Sequence, residues 1–384
     1  MKDRISARAR AVPPSGIRRF FEMVIGMPDV LSLGVGEPDF VTPWHVREAC
    51  IYSLEQGYTM YTSNFGLLEL REEIANSYKK WYSLSYSPES EILVTTGVSE
   101  AYDIAIRAIV DPGDEVIIPE PSYVSYKPCT IFAGGIPVVV DTSTERFKLS
   151  PETLEKAITK KTKALVLNYP NNPTGASIGK KELEEIADVV IEHDLFVVSD
   201  EVYDKLTYEG AHTPFSSLNG MKNRTVLLNG FSKAYAMTGF RIGYALAPPD
   251  ITEAMMKVHQ YTMLCAPITG QMSAIEALRH GKREMEAMVR EYNRRRRVMV
   301  RGLNEMGLAC TNPEGAFYAF PSIKSTKLSS EEFSTGLLKD EKVAVVPGTA
   351  FGECGEGFIR CSYAISIDNL KTALDRMERF VAGF

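Results

Sequence analysis

Apolar residues along this chain follow two rhythms. Between about residue 91 and residue 247, short runs rich in Val, Ile and Leu alternate with longer stretches of helical period; the runs cover 91–96, 115–119, 136–141, 163–168, 195–199, 225–229 and 241–247. They are apolar almost throughout, which predicts strands covered by helices on both faces and therefore an α/β fold with a mostly parallel, seven-stranded sheet. In such sheets ligands gather beyond the carboxyl ends of the strands.

The flanking regions carry the helical rhythm. A pattern from Ser15 through Ile17, Phe20, Phe21 and Val24 predicts a helix, as do Pro43–Gln56 behind a Thr42-Pro43 cap pair and Leu67–Tyr82. Beyond residue 248 the β rhythm fades. Residues 266 to about 305 read as helix with a break near Gly281, Ser329 and Glu332 form a capping box, Val343–Val346 and Phe358–Ser362 read as short strands, and Ile367–Val381 as a terminal helix. This predicts a second, smaller α+β domain.

Composition narrows the class. A chain of 384 residues with 45% hydrophobic and 24% charged residues can bury a large core and two domains. Its net charge of −6 argues against bulk binding of nucleic acid or anionic membrane, and the basic run Arg294–Arg297 is expected to be a solvated helix face. The six cysteines form no C-x-x-C pair, so neither a zinc site nor a thiol redox motif is expected, and no apolar run is long enough to span a bilayer. A soluble protein of the reducing cytoplasm is expected.

The candidate chemistry centres on Asn229–Tyr244. Here Lys233 sits among Phe231, Ala234, Tyr235, Ala236, Met237 and Phe240, where a desolvated ammonium moves toward the neutral amine that reacts with aldehydes. Ser232 and Arg241 supply a hydroxyl and a forked guanidinium suited to a phosphate. Aldehyde plus phosphate describes pyridoxal phosphate. Each residue alone also has a plainer reading: a snorkelling lysine, an ion-paired arginine, a turn-capping serine. Two further strand ends strengthen the combination. The segment Thr95–Ala101, with Val98 and Ser99, opens a helix whose amides favour a phosphate. Asp200 follows an apolar strand, where its carboxylate needs a positive partner such as a protonated pyridine nitrogen. By contrast, Gly34-x-Gly36 does not begin a dinucleotide fingerprint, because Pro38 removes a donor and the third glycine is missing.

Several segments resemble the class I/II aminotransferases, a pyridoxal-phosphate family of fold type I. They are S-K-x-x-x-x-x-G-x-R-x-G at 232–243, G-x-G-E-P-D-F at 34–40, Y-x-x-x-x-G-x-x-E-L-R at 61–71, a close variant of N-P-x-N-P-T-G at 169–175 with Tyr169 in first place, and Ile359-Arg-Cys-Ser-Tyr-Ala364. The likeness runs from about residue 15 to the C-terminus and is strongest to the γ subgroup, with archaeal aspartate and aromatic aminotransferases. It implies a large cofactor-binding domain of residues 40–275 and a small domain made from 1–39 and 276–384.

The resemblance also implies roles. Lys233 would hold pyridoxal 5'-phosphate and move the proton; Asp200 would meet the ring nitrogen; Tyr203 and Asn172 would meet the ring's phenolic oxygen; Tyr123 would stack on the ring. Val98, Ser99, Ser232 and Arg241 would hold the phosphate, joined by Tyr61 of a neighbouring subunit in a homodimer with shared active sites. Arg360 would fork onto the substrate α-carboxylate, with Gly36, Tyr123 and Asn172 also against the substrate, while Tyr126 reads as core packing. The implied activity is ping-pong transamination from an acidic or aromatic L-amino acid, aspartate the best single choice, to 2-oxoglutarate. Arg18, Arg19 or Lys127 could meet a side-chain carboxylate. Alanine transamination, a carbon–sulfur β-lyase and a non-catalytic regulator on the same scaffold stay open.

Overall fold

The computed structural model describes residues 4–17, 27 and 29–384. After β1 (Leu31–Ser32), seven strands build the main sheet: β2 (Ile92–Thr95), β3 (Glu115–Glu120), β4 (Ile136–Asp141), β5 (Thr162–Asn168), β6 (Phe196–Asp200), β7 (Thr225–Gly230) and β8 (Gly243–Leu246). Their spatial order is β2-β8-β7-β6-β5-β3-β4. Every pair from β7 to β4 is parallel, whereas β8 runs antiparallel to both β7 and β2. The cause lies in the connection 231–242. It contains no α-helix to carry the chain across a sheet face, so β8 returns beside β7 as a hairpin partner.

The apolar runs are buried on both faces, as their composition predicts. On β5, Ala164 and Val166 pack with the helices Gly97–Ile109, Tyr126–Ala133 and Pro249–Thr262, while Leu165 and Leu167 pack with Pro151–Ala157 and Lys180–Glu192 on the other side. Each fully buried aliphatic side chain contributes roughly 1.5–3 kcal/mol, so this sandwich fixes the strand register firmly. Register in turn aligns the strand ends. Asn168 is the partner of Asp200, and Asp200 is the partner of Leu228.

The chain ends meet in two small sheets. β1 pairs in parallel with β10 (Val343–Ala344), and β11 (Val346–Pro347), β12 (Ile359–Ser362) and β9 (Tyr318–Ala319) form an antiparallel sheet. The run Val343–Val346 is thus two short strands in two sheets, with Val345 between them. The helical pattern at 266–305 resolves into Ile268–His280 and Lys282–Glu305, broken at Gly281, and the capping box Ser329–Glu332 starts the helix Ser330–Glu341. The helix expected from Ser15 to Val24 falls largely on residues outside the described set.

Two expectations need correction. Thr42 does not cap the helix Trp44–Glu55; its Oγ1 donates to the Ala236 carbonyl at 2.5 Å and ties the helix start to the Lys233 turn. Nor is Arg294–Arg297 a solvated face throughout. Four successive residues cover a full helical turn, and this helix is packed along one side, so Arg295 and Arg296 turn inward while Arg294 and Arg297 stay exposed. Arg295 meets Asp39 at 2.7 Å and Arg296 meets Glu209 at 2.8 Å.

Candidate active site

A cavity of about 1040 Å³ lies beyond the carboxyl ends of the parallel strands, bounded on its far side by Tyr318 and Arg360 of the small sheet and by Val35–Glu37. It gathers Gly36, Val98, Ser99, Tyr123, Asn172, Asp200, Tyr203, Ser232, Lys233, Arg241 and Arg360 on its walls. Residues far apart in sequence meet here because the strands that deliver them end at one edge.

Lys233 stands in the turn after β7, and its Nζ donates to the Gly36 carbonyl at 2.6 Å. Its pKa is lowered from 10.5 to about 8, chiefly by desolvation; Glu37 and Asp200 oppose the shift, and Arg360 and Arg241 add to it. The Phe317 ring, 5.7 Å from Nζ, supplies part of the apolar surround. A sizeable share of this amine is therefore neutral near pH 8, as the apolar neighbours in the sequence suggest.

Asp200 closes β6. It is buried, and its pKa is raised from 3.8 to about 6: desolvation and Glu201 push it up, against the hydrogen bonds from the Tyr126 hydroxyl and the Val202 amide and the charge of Lys233. The Tyr126 hydroxyl donates to Oδ2 at 2.7 Å, so Tyr126 is more than core packing. Asn168, its register partner on β5, donates from Nδ2 to the Asp200 carbonyl at 3.0 Å and accepts the Asn172 amide on Oδ1 at 3.0 Å. Thus the two strand ends and the turn between them form one hydrogen-bonded unit.

On the opposite wall, Arg360 projects from β12 with its side chain buried. Its Nη1 donates to Asn172 Oδ1 at 2.9 Å and its Nη2 to the Gly34 carbonyl at 2.6 Å, while Nε has no partner among the described residues. The guanidinium lies between two rings, 4.4 Å from Tyr318 and 4.8 Å from Phe351. Neither contact neutralises its charge. A buried cation held by neutral acceptors, with one donor unused, is a site for an anion.

A second cationic corner sits at the start of the helix Gly97–Ile109. Arg241 adopts a left-handed backbone (φ 55°), and its Nη1 donates to the Thr238 carbonyl at 3.1 Å. Gly97, at φ 77°, leaves room for the guanidinium, because a Cβ there would lie 2.5 Å from Arg241 Nη2. Thr96 Oγ1 at the same place is buried and has no partner among the described residues.

Four of the residues expected near the substrate or cofactor lie elsewhere in this chain or outside the described set. Tyr61 is 82% exposed and takes no part in the cavity of its own chain. Lys127 forms an ion pair with Glu120 at 3.0 Å. Arg18 and Arg19 lie outside the described residues. Conversely, Tyr318 is a wall residue without any marker in the sequence, since it belongs to an ordinary aromatic run, Phe317–Phe320. Asn168 had a discernible signal: it ends an apolar strand beside the one that ends in Asp200.

Comparison with known proteins accords with this geometry. The family model for aminotransferase class I and II matches residues 28–377. The chain belongs to the class I and II aminotransferases. This aminotransferase is 54% identical to the putative aminotransferase YugH of Bacillus subtilis, over 99% of each chain. It is 48% identical to an aspartate aminotransferase of Pyrococcus abyssi, covering 98% of this chain and 97% of the relative. Among solved structures, the aromatic aminotransferase of Pyrococcus horikoshii superposes with a TM-score of 0.91 at 46% identity, covering 96% of this chain and 99% of that one. The enzyme transfers amino groups, and its fold is that of the fold-type I aminotransferases. Among the described residues, no helix is long and apolar enough to cross a membrane.

Proposed function

We propose that the enzyme uses pyridoxal 5'-phosphate to move the amino group of an acidic or aromatic L-amino acid, aspartate foremost, to 2-oxoglutarate. The observation that carries this reading is the presence, in one cavity, of an amine with its pKa lowered to about 8, a buried carboxylate and a buried guanidinium with an unused donor. The donor set fits the cofactor. Arg241, the amides of Val98 and Ser99 at a helix N-terminus, the Ser232 hydroxyl and the unpartnered Thr96 Oγ1 suit a phosphate, and Asp200 suits a cationic ring nitrogen. When bound, pyridoxal 5'-phosphate supplies an aldehyde to carry the amino group and an electron-poor ring to take up charge from the substrate Cα.

The remaining work falls to the chain. Lys233 holds the cofactor and then, as a free amine, takes and returns the proton at the substrate Cα; its lowered pKa places that exchange near working pH. Arg360 binds the substrate α-carboxylate, exchanging neutral acceptors for a charged one. Tyr203, Asn172 and Tyr123 would help hold the cofactor, Tyr203 and Asn172 through its phenolic oxygen, and Gly36 would approach the substrate without a side chain in the way. The aspartate and aromatic activities named for relatives of this chain support the choice of donor.

In this reading, residues 40–275 form the large domain and 1–39 with 276–384 the small one, consistent with all seven main-sheet strands lying within 92–246. A cytoplasmic homodimer completes it, with Tyr61 reaching across to the neighbouring site; the free thiols of the six cysteines suit a reducing compartment. The test is a spectral half-reaction screen of the cofactor-loaded protein against the common amino acids. Bleaching by aspartate or an aromatic amino acid supports the proposal. A preference for small neutral donors overturns the substrate choice, and release of pyruvate and ammonia from a cysteine conjugate without a keto acid points to a lyase.

A further inference from the structure

Tyr126 has three contacts that a simple core residue would not need. Its hydroxyl donates to Asp200 Oδ2 at 2.7 Å; its ring lies edge-on to Tyr123 with centroids 5.7 Å apart; and on its other side Tyr102 packs at 4.7 Å and donates its own hydroxyl to the Tyr126 carbonyl at 3.3 Å. Tyr126 and Tyr102 are each only 2% exposed. The phenol is therefore held from two sides, and it cannot swing away from the carboxylate without opening the packing between the sheet and the helix Gly97–Ile109.

The second oxygen of Asp200 is less committed. Among the described residues, Oδ1 accepts only the Val202 amide, at 3.2 Å. A carboxylate has about four lone-pair sites, so capacity remains for a cation in the cavity that Asp200 lines.

We infer that Tyr126 is the positioning residue for Asp200: its hydroxyl fixes the carboxylate's orientation and biases the shared proton away from Asp200 and onto the cationic partner. The inference rests on the reading above, in which that partner is the ring nitrogen of pyridoxal phosphate. The physical argument concerns proton affinity. A phenol donating to the carboxylate stabilises the anion and does nothing for the neutral acid at the same oxygen, so it disfavours transfer of the ring proton to Asp200. Water could do this at an open site. Here Asp200 is buried and the aromatic trio fills the space, so the protein supplies the donor itself. No covalent bond changes; only the resting place of one proton does.

Tyr126→Phe removes the hydroxyl and keeps the ring, which makes it the discriminating variant. Wild type and variant are loaded with pyridoxal phosphate carrying nitrogen-15 in its ring, and the nitrogen chemical shift is read at neutral pH. The wild type should show a protonated nitrogen, and Y126F a shift toward the neutral pyridine value. Alongside, kcat should fall about tenfold with KM within about twofold, the size expected for one lost hydrogen bond to a charged group. An unchanged nitrogen shift in Y126F overturns the inference. A purely packing role would change the melting temperature and leave the nitrogen shift in place. Failure of the underlying reading looks different: the wild type itself would take up no cofactor, or would hold it with an unprotonated ring nitrogen. If Y126F is too unstable to load, Tyr102→Phe, which removes the hydroxyl that bonds the Tyr126 carbonyl and keeps the ring packed on Tyr126, should give a smaller shift of the same sign; no shift there also counts against the inference.

Discussion

The hydroxyl oxygens of Tyr203 and Tyr318 lie 2.9 Å apart, both buried. Tyr203 follows the end of β6 in the main sheet, and Tyr318 stands on β9 in the small antiparallel sheet, so this bond joins the two structures that wall the cavity. The same Tyr318 ring supports the Arg360 guanidinium. One side chain thus positions a phenol on one wall and a cation on the other.

Tyr318→Phe should separate these two functions. The ring remains under Arg360, so KM for the amino donor should change little. The Tyr203 hydroxyl loses its partner in a buried site, which should cost about 1–2 kcal/mol of stability in urea unfolding. A large rise in KM with unchanged stability would show that the hydroxyl, rather than the ring, serves Arg360.

Arg360→Lys should behave as a severe change despite keeping the charge. A lysine cannot reach Asn172 Oδ1 and the Gly34 carbonyl together while offering a planar fork to a carboxylate. With one or more charge-assisted hydrogen bonds lost, KM for the amino donor should rise roughly a hundredfold, and the Asn172 side chain loses the donor that orients it. Steady-state kinetics with aspartate and an aromatic donor would check it; a KM close to wild type would remove Arg360 from substrate binding.

The pKa of Asp200, raised to about 6 from 3.8, gives the apoprotein a pH signature. Between these two values the folded protein binds a proton that the unfolded chain does not, so this residue's contribution to stability is present at low pH and is lost as pH rises through about 6. Above that range the folded state carries a buried carboxylate. Asp200→Asn should therefore make the apoprotein more stable than wild type at pH 7, with the difference shrinking as pH falls below about 6. Urea unfolding of both proteins from pH 5 to pH 8 measures it, and a difference independent of pH would mean that Asp200 titrates normally.

Much of this site is legible in the sequence because its charged members interrupt apolar surroundings. Lys233 follows a strand-forming run, Asp200 closes one and Arg360 lies within one, places where a charge without purpose is costly. The sheet was legible for the same reason. What escaped depends on contacts between distant segments. Tyr126 and Tyr318 look like any buried tyrosine until the fold brings their hydroxyls to Asp200 and Tyr203. Arg295 and Arg296 belong to a basic run whose inward half is set by which side of the helix is packed, a fact that the run itself does not carry. The antiparallel return of β8 is likewise a property of the connection before it, and strand composition cannot show it.

Lys233 should reveal itself in how the apoprotein takes up pyridoxal phosphate. Only the neutral amine attacks an aldehyde, so the uptake rate should climb with pH and level off above about 8, where burial has placed this group. An ordinary lysine would continue to climb toward 10.5. Stopped-flow absorbance follows the reaction, and borohydride fixation with peptide mass spectrometry assigns it to position 233. A rate still rising well past pH 9 would mean that the amine is solvated and that the cavity does not depress it.

Tyr61 calls for a test of assembly. It is 82% exposed, and Trp44, Tyr52 and Met60 are also large apolar side chains left exposed in the single chain, at 58%, 57% and 74%. In the proposed homodimer these surfaces meet and Tyr61 enters the neighbouring site. Two inactive subunits should then complement each other. In a hybrid of Lys233→Ala with Tyr61→Ala, one site carries both defects and the other joins an intact Lys233 to the intact Tyr61 of the opposite subunit. Random exchange of equal amounts makes about half of the dimers hybrid, each with one sound site, so activity should recover to about a quarter of wild type. If Tyr61 served its own chain's site, or no site at all, each hybrid site would have the activity of one parent or the other and mixing would add nothing. Recovery on mixing, absent from either variant alone, is the result that requires a shared active site.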